Sequence, residues 1–283
     1  MAASTPPSPT GASRAKMCAA VVLEGADDGP QKFGIFTDEE LIALDGIATD
    51  QLVPIPWITA NAETISTEHA ASVALRGLIA RQLVLPAEML AEDWSDLGDD
   101  PRRLIAADPV QGLITLRRSA SSVVSFHRVV QENSHTLIHY GYENGRILEE
   151  EITQDGFHHF VVLPAAQAPQ RALMLVDQDQ VASNDGESIV ADLDDLSETS
   201  PLSTTLADTR ALTVATVVRR DTEPEQFTFY ATSTALLVSR PESEPGTADD
   251  STPMQFIEIS RATAEQLLGE LLEDDATPPS EAG

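Results

Sequence analysis

His127, His135 and His139 lie close together in the chain, and the pair His158-His159 follows them. Imidazoles clustered in this way are the raw material of a zinc-type centre. Whether they converge depends on the strands that carry them, because successive side chains on a strand point to opposite faces. A two-residue turn between strands over 121–130 and 134–140 sets His127 opposite Ile138, and His139 opposite Phe126. Facing residues share a side, so His127 points away from His135 and His139. The next hairpin sets His139 opposite Glu150, an ordinary cross-strand charge pair. A slip of one residue would turn each of these side chains over. Surface histidines are expected, and no metal site is assigned. A small-ligand or metal-binding regulatory module built on His127, His135 and His139 stands as the alternative function.

Other chemistry finds less footing. Asp177-Gln178-Asp179-Gln180-Val181-Ala182 opens like a calcium loop, but Val181 takes the third ligand position. Ala182 stands where the sharp turn needs glycine, so an acidic linker fits better. Cys18 is the single cysteine, which excludes an internal disulfide and a cysteine-rich metal site. No Gly-x-Ser-x-Gly elbow and no glycine-rich phosphate loop occurs. Glu149-Glu150-Glu151 supplies carboxylates that a strand sends to alternate faces, and a solvated edge is their expected setting. The sequence is read as a non-enzyme with no catalytic residues and no cofactor.

Binding surfaces offer more. Phe227 and Phe229 share one face of a strand, and Leu236 and Val238 do so on its neighbour. Phe126, Tyr140 and Tyr142 hold related places in an earlier β cluster. Such residues build the core between sheet and helices. Two half-sheets joined into one broad sheet can also leave a face for an apolar partner. Phe227, Phe229, Leu236 and Val238 are the candidate partner-binding residues.

The elements that must position these residues are legible to different degrees. Thr37-Asp38-Glu39-Glu40 is a capping box, opening a short helix that ends near Asp45-Gly46. Pro54-Ile55-Pro56-Trp57 reads as extended. A longer helix over 63–83 buries Ala71, Ala74, Leu75, Leu78 and Ile79, and Ala87 to Trp94 reads as another turn or two of helix. Met17 to Leu23 is too short for a signal peptide core and reads as a first strand. Segments near 112–118, 121–130, 134–142 and 146–153 read as antiparallel strands. Asn144-Gly145 supplies a two-residue type I′ turn that sets Tyr142 opposite Ile147. Residues 154–163 read as helical, and 188–196 as a further helix. The second β cluster covers 210–220, 225–231, 234–240 and 254–260, with a mobile acidic loop between Pro241 and Pro253. The last helix repeats Ala264, Leu267, Leu268, Leu271 and Leu272 at helical spacing.

The bulk numbers narrow the class of partner. Lys and Arg total 17 against 46 Asp and Glu, a formal charge of −29. Such a field opposes nucleic acid and anionic membrane, both of which are held through Lys and Arg contacts to phosphate. No apolar run approaches the roughly 18 residues of a membrane span, so no membrane insertion is expected and a cytoplasmic location is. Disorder is expected for 1–16 and 274–283. Residues 17–273 then form one α+β domain, with half-repeats over about 17–165 and 166–273. Each β cluster ends in a Glu-Ile-(Thr/Ser) strand, Glu151-Ile152-Thr153 or Glu258-Ile259-Ser260, that is read as running into a helix. The repetition argues for a pseudo-two-fold pair of half-domains, a central antiparallel sheet flanked by helices.

Over about residues 33–273 the order of elements resembles the EspG family of type VII secretion chaperones. The likeness is carried by Phe36-Thr37-Asp38-Glu39-Glu40-Leu41, Val53-Pro54-Ile55-Pro56 and Ala74-Leu75-Arg76-Gly77-Leu78. It continues through the run from Asp155 to Leu163-Pro164, then Ile257-Glu258-Ile259-Ser260 and Leu267-Leu268-Gly269-Glu270-Leu271-Leu272. The resemblance implies a quasi-two-fold α+β fold and a non-catalytic activity. That activity is binding the apolar helical tip of a PE–PPE-type secretion substrate and keeping it soluble for export. The strongly acidic balance and the N-terminal stretch depart from the family pattern.

Overall fold

A computed structural model describes residues 11–26, 29–89, 103–142, 144–191, 200–242 and 252–272 of the 283-residue chain. In the first half, α1 (Gly11–Glu24) precedes β1 (Gln31–Thr37), α2 (Asp38–Asp45), α3 (Pro56–Ala60) and α4 (Thr67–Ala80). A small ribbon of β2 (Val84–Pro86) and β3 (Leu104–Ala106) leads to α5 (Asp108–Ser119). A meander follows: β4 (Ser122–Val130), β5 (Asn133–Tyr142), β6 (Arg146–Thr153) and β7 (Phe157–Pro164), closed by α6 (Ala168–Val176). The second half comprises β8 (Ile189–Ala191), α7 (Pro201–Ala207), β9 (Ala211–Arg219), β10 (Glu225–Ala231), β11 (Leu236–Pro241), β12 (Met254–Glu258) and α8 (Arg261–Leu272).

Ten of these strands form one sheet in the order β1-β7-β6-β5-β4-β9-β10-β11-β12-β8. Its central pair, β4 and β9, is antiparallel, with Phe126 opposite Ala215. A half-turn about that seam exchanges β4 with β9 and carries each meander onto the other, edge strands included. By the same operation α6 closes the first half as α8 closes the second. The fold is α+β, a pseudo-two-fold pair of half-domains around an antiparallel sheet.

Helices lie on both faces. On one, α6 and α8 pack over Val124, Phe126, Ala215, Phe229 and Leu236, all buried. On the other, α1, α2, α4 and α5 cover Tyr140, Leu148, Ile152, Phe160 and Val162. There α7 covers Leu237 and Phe256 in the second half. Between those two covers the seam is open: His127 and Val218 are exposed, with Val129, Leu212, Val214 and Thr216 half-buried.

Several local expectations change. Residues 17–23 belong to α1, not to a strand, and Cys18, Ala19, Val22 and Leu23 form one buried helical stripe. Residues 112–118 lie in α5, where Pro109 occupies the first turn. There Val110, Leu113, Ile114 and Arg117 recur at helical spacing and are buried. The expected helix over 154–163 is β7, whose buried His158, Phe160 and Val162 alternate. The first Glu-Ile-Thr strand thus runs into another strand, and its helix comes one element later. Pro56 starts α3 at the first-turn position that proline tolerates, so Pro56-Trp57 is helical and not extended. The capping box stands as read, with Glu40 N–H donating to Thr37 Oγ1 and Thr37 N–H donating to Glu40. The long helix is α4, with Ser66 as its cap; Ala71 and Leu78 are buried while Ile79 is exposed. Ile189–Ala191 is a strand where a helix was expected, and 192–199 lie outside the described residues. So do most of the acidic loop, at 243–251, and the tail from 273. Residues 1–10 lie outside as well, whereas 11–16 are helical.

Candidate functional site

The three consecutive glutamates are the largest departure from the sequence reading. β6 is an inner strand between β5 and β7, so no solvated edge exists there. Glu149 and Glu150 are completely buried and point to opposite faces. On the α1/α5 face, Glu150 accepts from Arg117 Nε at 3.0 Å, Arg117 Nη2 at 3.2 Å and Tyr140 Oη at 2.6 Å. His158 Nδ1 lies 2.6 Å from Glu150, and its Nε2 lies 2.8 Å from Asp38. Arg117 also reaches Asp45 at 2.9 Å. Asp38 accepts from Ile58 N–H at 3.0 Å. One ionic network therefore ties α2, α3 and α5 to three strands.

Burial alone raises the Glu150 carboxyl, but Arg117, His158 and Tyr140 overcome it and bring it down to about 2. Burial pushes the His158 imidazole down; the carboxylates of Asp38 and Glu150 outweigh that and raise it. With a carboxylate on each ring nitrogen, both nitrogens donate and the ring is an imidazolium. His158, Asp38 and Glu150 have no exposed surface. These three side chains act as an internal clamp, while Asp45, Arg117 and Tyr140 of the same network line a cavity of about 390 Å³.

The histidines singled out by spacing do not converge. His127 faces Thr136, two residues from the expected partner, and hydrogen-bonds to its hydroxyl at 2.9 Å. A shift of two preserves the face, so His127 does point away from His135 and His139. The second hairpin shifts by one: Tyr142 pairs with Arg146, His139 with Glu149. The cause is a loop of three residues, not two, with Gly145 in the left-handed region at φ 71°. His139 is buried against Glu149 at 3.0 Å instead of lying at the surface, and His135 meets Glu151 at 2.9 Å. Arg171 from α6 also pairs with Glu149. Among the described residues no group of three His, Cys, Asp or Glu side chains is placed to hold a metal ion. Asp177 instead accepts from Val181 and Ala182 N–H at 2.8 and 3.2 Å, closing the turn after α6.

Phe227, Phe229, Leu236 and Val238 share the α6/α8 face. Phe229 stands opposite Val238 and Ala231 opposite Leu236. Phe229 and Leu236 are fully enclosed in the core, while Phe227 and Val238, each 7% exposed, reach the floor of a groove. This groove, about 250 Å³, runs between α8 and strands β10 to β12. Ile257, Ile259 and Leu267 complete its apolar floor, and Arg240, Gln266 and Glu270 form a polar rim. Alternation along β12 puts Ile257 on the same side as Val238.

The wall is held firmly. Ser260 Oγ accepts from Thr263 N–H at 3.3 Å, and Asp185 accepts from Ser260 N–H at 2.8 Å, fixing the start of α8. At its end Arg219 donates to the carbonyls of Glu270 and Leu271 at 3.3 and 3.1 Å. Of the four residues singled out in the sequence, Phe227 and Val238 line this groove, together with Ile257 and Ile259, which were not singled out. The open seam is different in kind: Ser125, His127, Thr216 and Thr228 alternate with valines there, a face that water can solvate. Comparison with known proteins finds no matching family model and no matching curated protein.

Proposed function

We propose that this chain is a non-catalytic chaperone, working in the cytoplasm, that holds the apolar helical tip of a PE–PPE-type secretion substrate. The reading rests on the likeness in element order to the EspG family. Among the structural features, the α8 groove is the one that carries it. A helix presents its apolar residues as a stripe at every third and fourth position, and a groove with an aliphatic floor and a polar rim receives such a stripe. A wall fixed at both ends loses little freedom on binding. The charge of −29 keeps the complex dispersed while the client's apolar end is covered.

Co-expression with PE–PPE-type helical pairs tests the proposal. A client should copurify and gain solubility. Leu267→Glu and Ile257→Glu, which place a carboxylate on the half-buried groove floor, should abolish copurification while the unfolding midpoint stays near wild type. Failure of every pair to copurify or gain solubility would sink the idea.

A further inference from the structure

The half-turn that relates the two halves places a second cleft, under α6, where the first half repeats the α8 groove. Its chemistry is different. The cleft, about 300 Å³, lies between α6 and strands β4 to β6, with Leu137, Met174 and Leu175 as its apolar wall. Arg128, Arg171, Glu149 and Glu151 supply charge. Three of these four are matched: Arg171 pairs with Glu149 and His135 with Glu151. Arg128 is not. Its Nε is shielded from water and has no hydrogen-bond partner among the described residues. Burial lowers the guanidinium, and Asp179 opposes that only through its charge.

Other described arginines without an ion pair, such as Arg76 and Arg261, are exposed to water, whereas Arg128 is half-buried with no carboxylate in hydrogen-bond contact among the described residues. The part of the Arg128 guanidinium that lines the cleft can take a planar anion in two parallel hydrogen bonds. Cleft size and the aliphatic wall restrict the rest of the ligand to a short apolar body. We infer that the α6 cleft is a binding site for a small carboxylate, its anionic end on Arg128 and its apolar body against Leu137 and Leu175. The inference is independent of the α8 groove, which lies in the other half.

Benzoate is a suitable probe, with benzamide as the neutral isostere and inorganic phosphate as the anion without an apolar body. Titrations followed by amide NMR on the full chain should show benzoate shifting signals from β4 to β6 and α6. Benzamide and phosphate should bind at least about tenfold more weakly, the weight of one charge-assisted pair or of the apolar contact. Arg128→Gln should weaken benzoate by at least about tenfold with the unfolding midpoint unchanged or raised, since it removes an unmatched buried donor. Arg128→Lys serves if the glutamine variant does not fold, and should also weaken benzoate because the fork is gone. Equal binding of benzoate and phosphate, equal binding by the variants, or no shift in these strands would each overturn the assignment.

Discussion

Glu150 shows how far one residue's surroundings decide its role. It reads as one of three surface carboxylates, yet it holds Arg117, Tyr140 and His158 together in the interior. Removing one partner of a buried ionic group leaves the others uncompensated, at about 3–5 kcal/mol. Glu150→Ala should lower stability by that order in urea unfolding; a loss below about 1 kcal/mol, the level of an exposed pair, would contradict the clamp. The pH dependence follows from the same contacts. Glu150 is depressed from its ordinary 4.5, so its contribution is present above that value and fades as pH falls toward 2. His158 is raised from its ordinary 6.5, so its contribution is complete below that value and is lost as pH rises through the raised one. The melting temperature should fall at both ends, and His158→Gln should flatten the alkaline limb. An unchanged alkaline limb in that variant would remove His158 from the explanation.

Elements were legible where local chemistry was unambiguous. The capping box at Thr37 and Glu40, the strands β4, β5, β9 and β10 with their β-branched and aromatic residues, and the leucine stripe of α8 all stand as read. Short apolar runs were not, because four to eight apolar residues suit a buried strand and a buried helix equally. Tertiary packing decided those. Gly112-Leu113-Ile114 is helical because α5 lies hard against α1: a Cβ at Gly112 would meet the Cys18 carbonyl oxygen at 2.5 Å and Val22 Cγ2 at 2.7 Å. Gly112→Val should therefore push α1 off. Hydrogen exchange should show lost protection in α1 with the β4–β9 seam still protected. Protection retained in α1 would mean the close approach is not required. The site residues divide in the same way. Strand alternation placed Phe227 and Val238 on the face that lines the α8 groove. The glutamate and histidine partners were missed because one extra loop residue before Arg146 changes which side chains meet.

At the scale of the whole molecule, duplication explains the layout. Each half presents a cleft between its closing helix and its meander, charged under α6 and apolar under α8. Two equivalent places have thus diverged in what they can hold, and the pseudo-two-fold keeps them apart on one face. The two Glu-Ile-(Thr/Ser) motifs do not mark that symmetry, because one lies on β6, which the half-turn carries onto β11, and the other at the end of β12. The offset of one strand between them was invisible until β7 was seen to be a strand. None of the described helices is long and apolar enough to cross a membrane.

The most direct measurement of the chaperone proposal is size-exclusion chromatography of the chain co-expressed with PE–PPE-type pairs, using wild type, Leu267→Glu and Arg128→Gln side by side. The expected result is a stable complex for wild type and Arg128→Gln, and none for a folded Leu267→Glu. A complex that forms equally well with Leu267→Glu would contradict the groove as the client site.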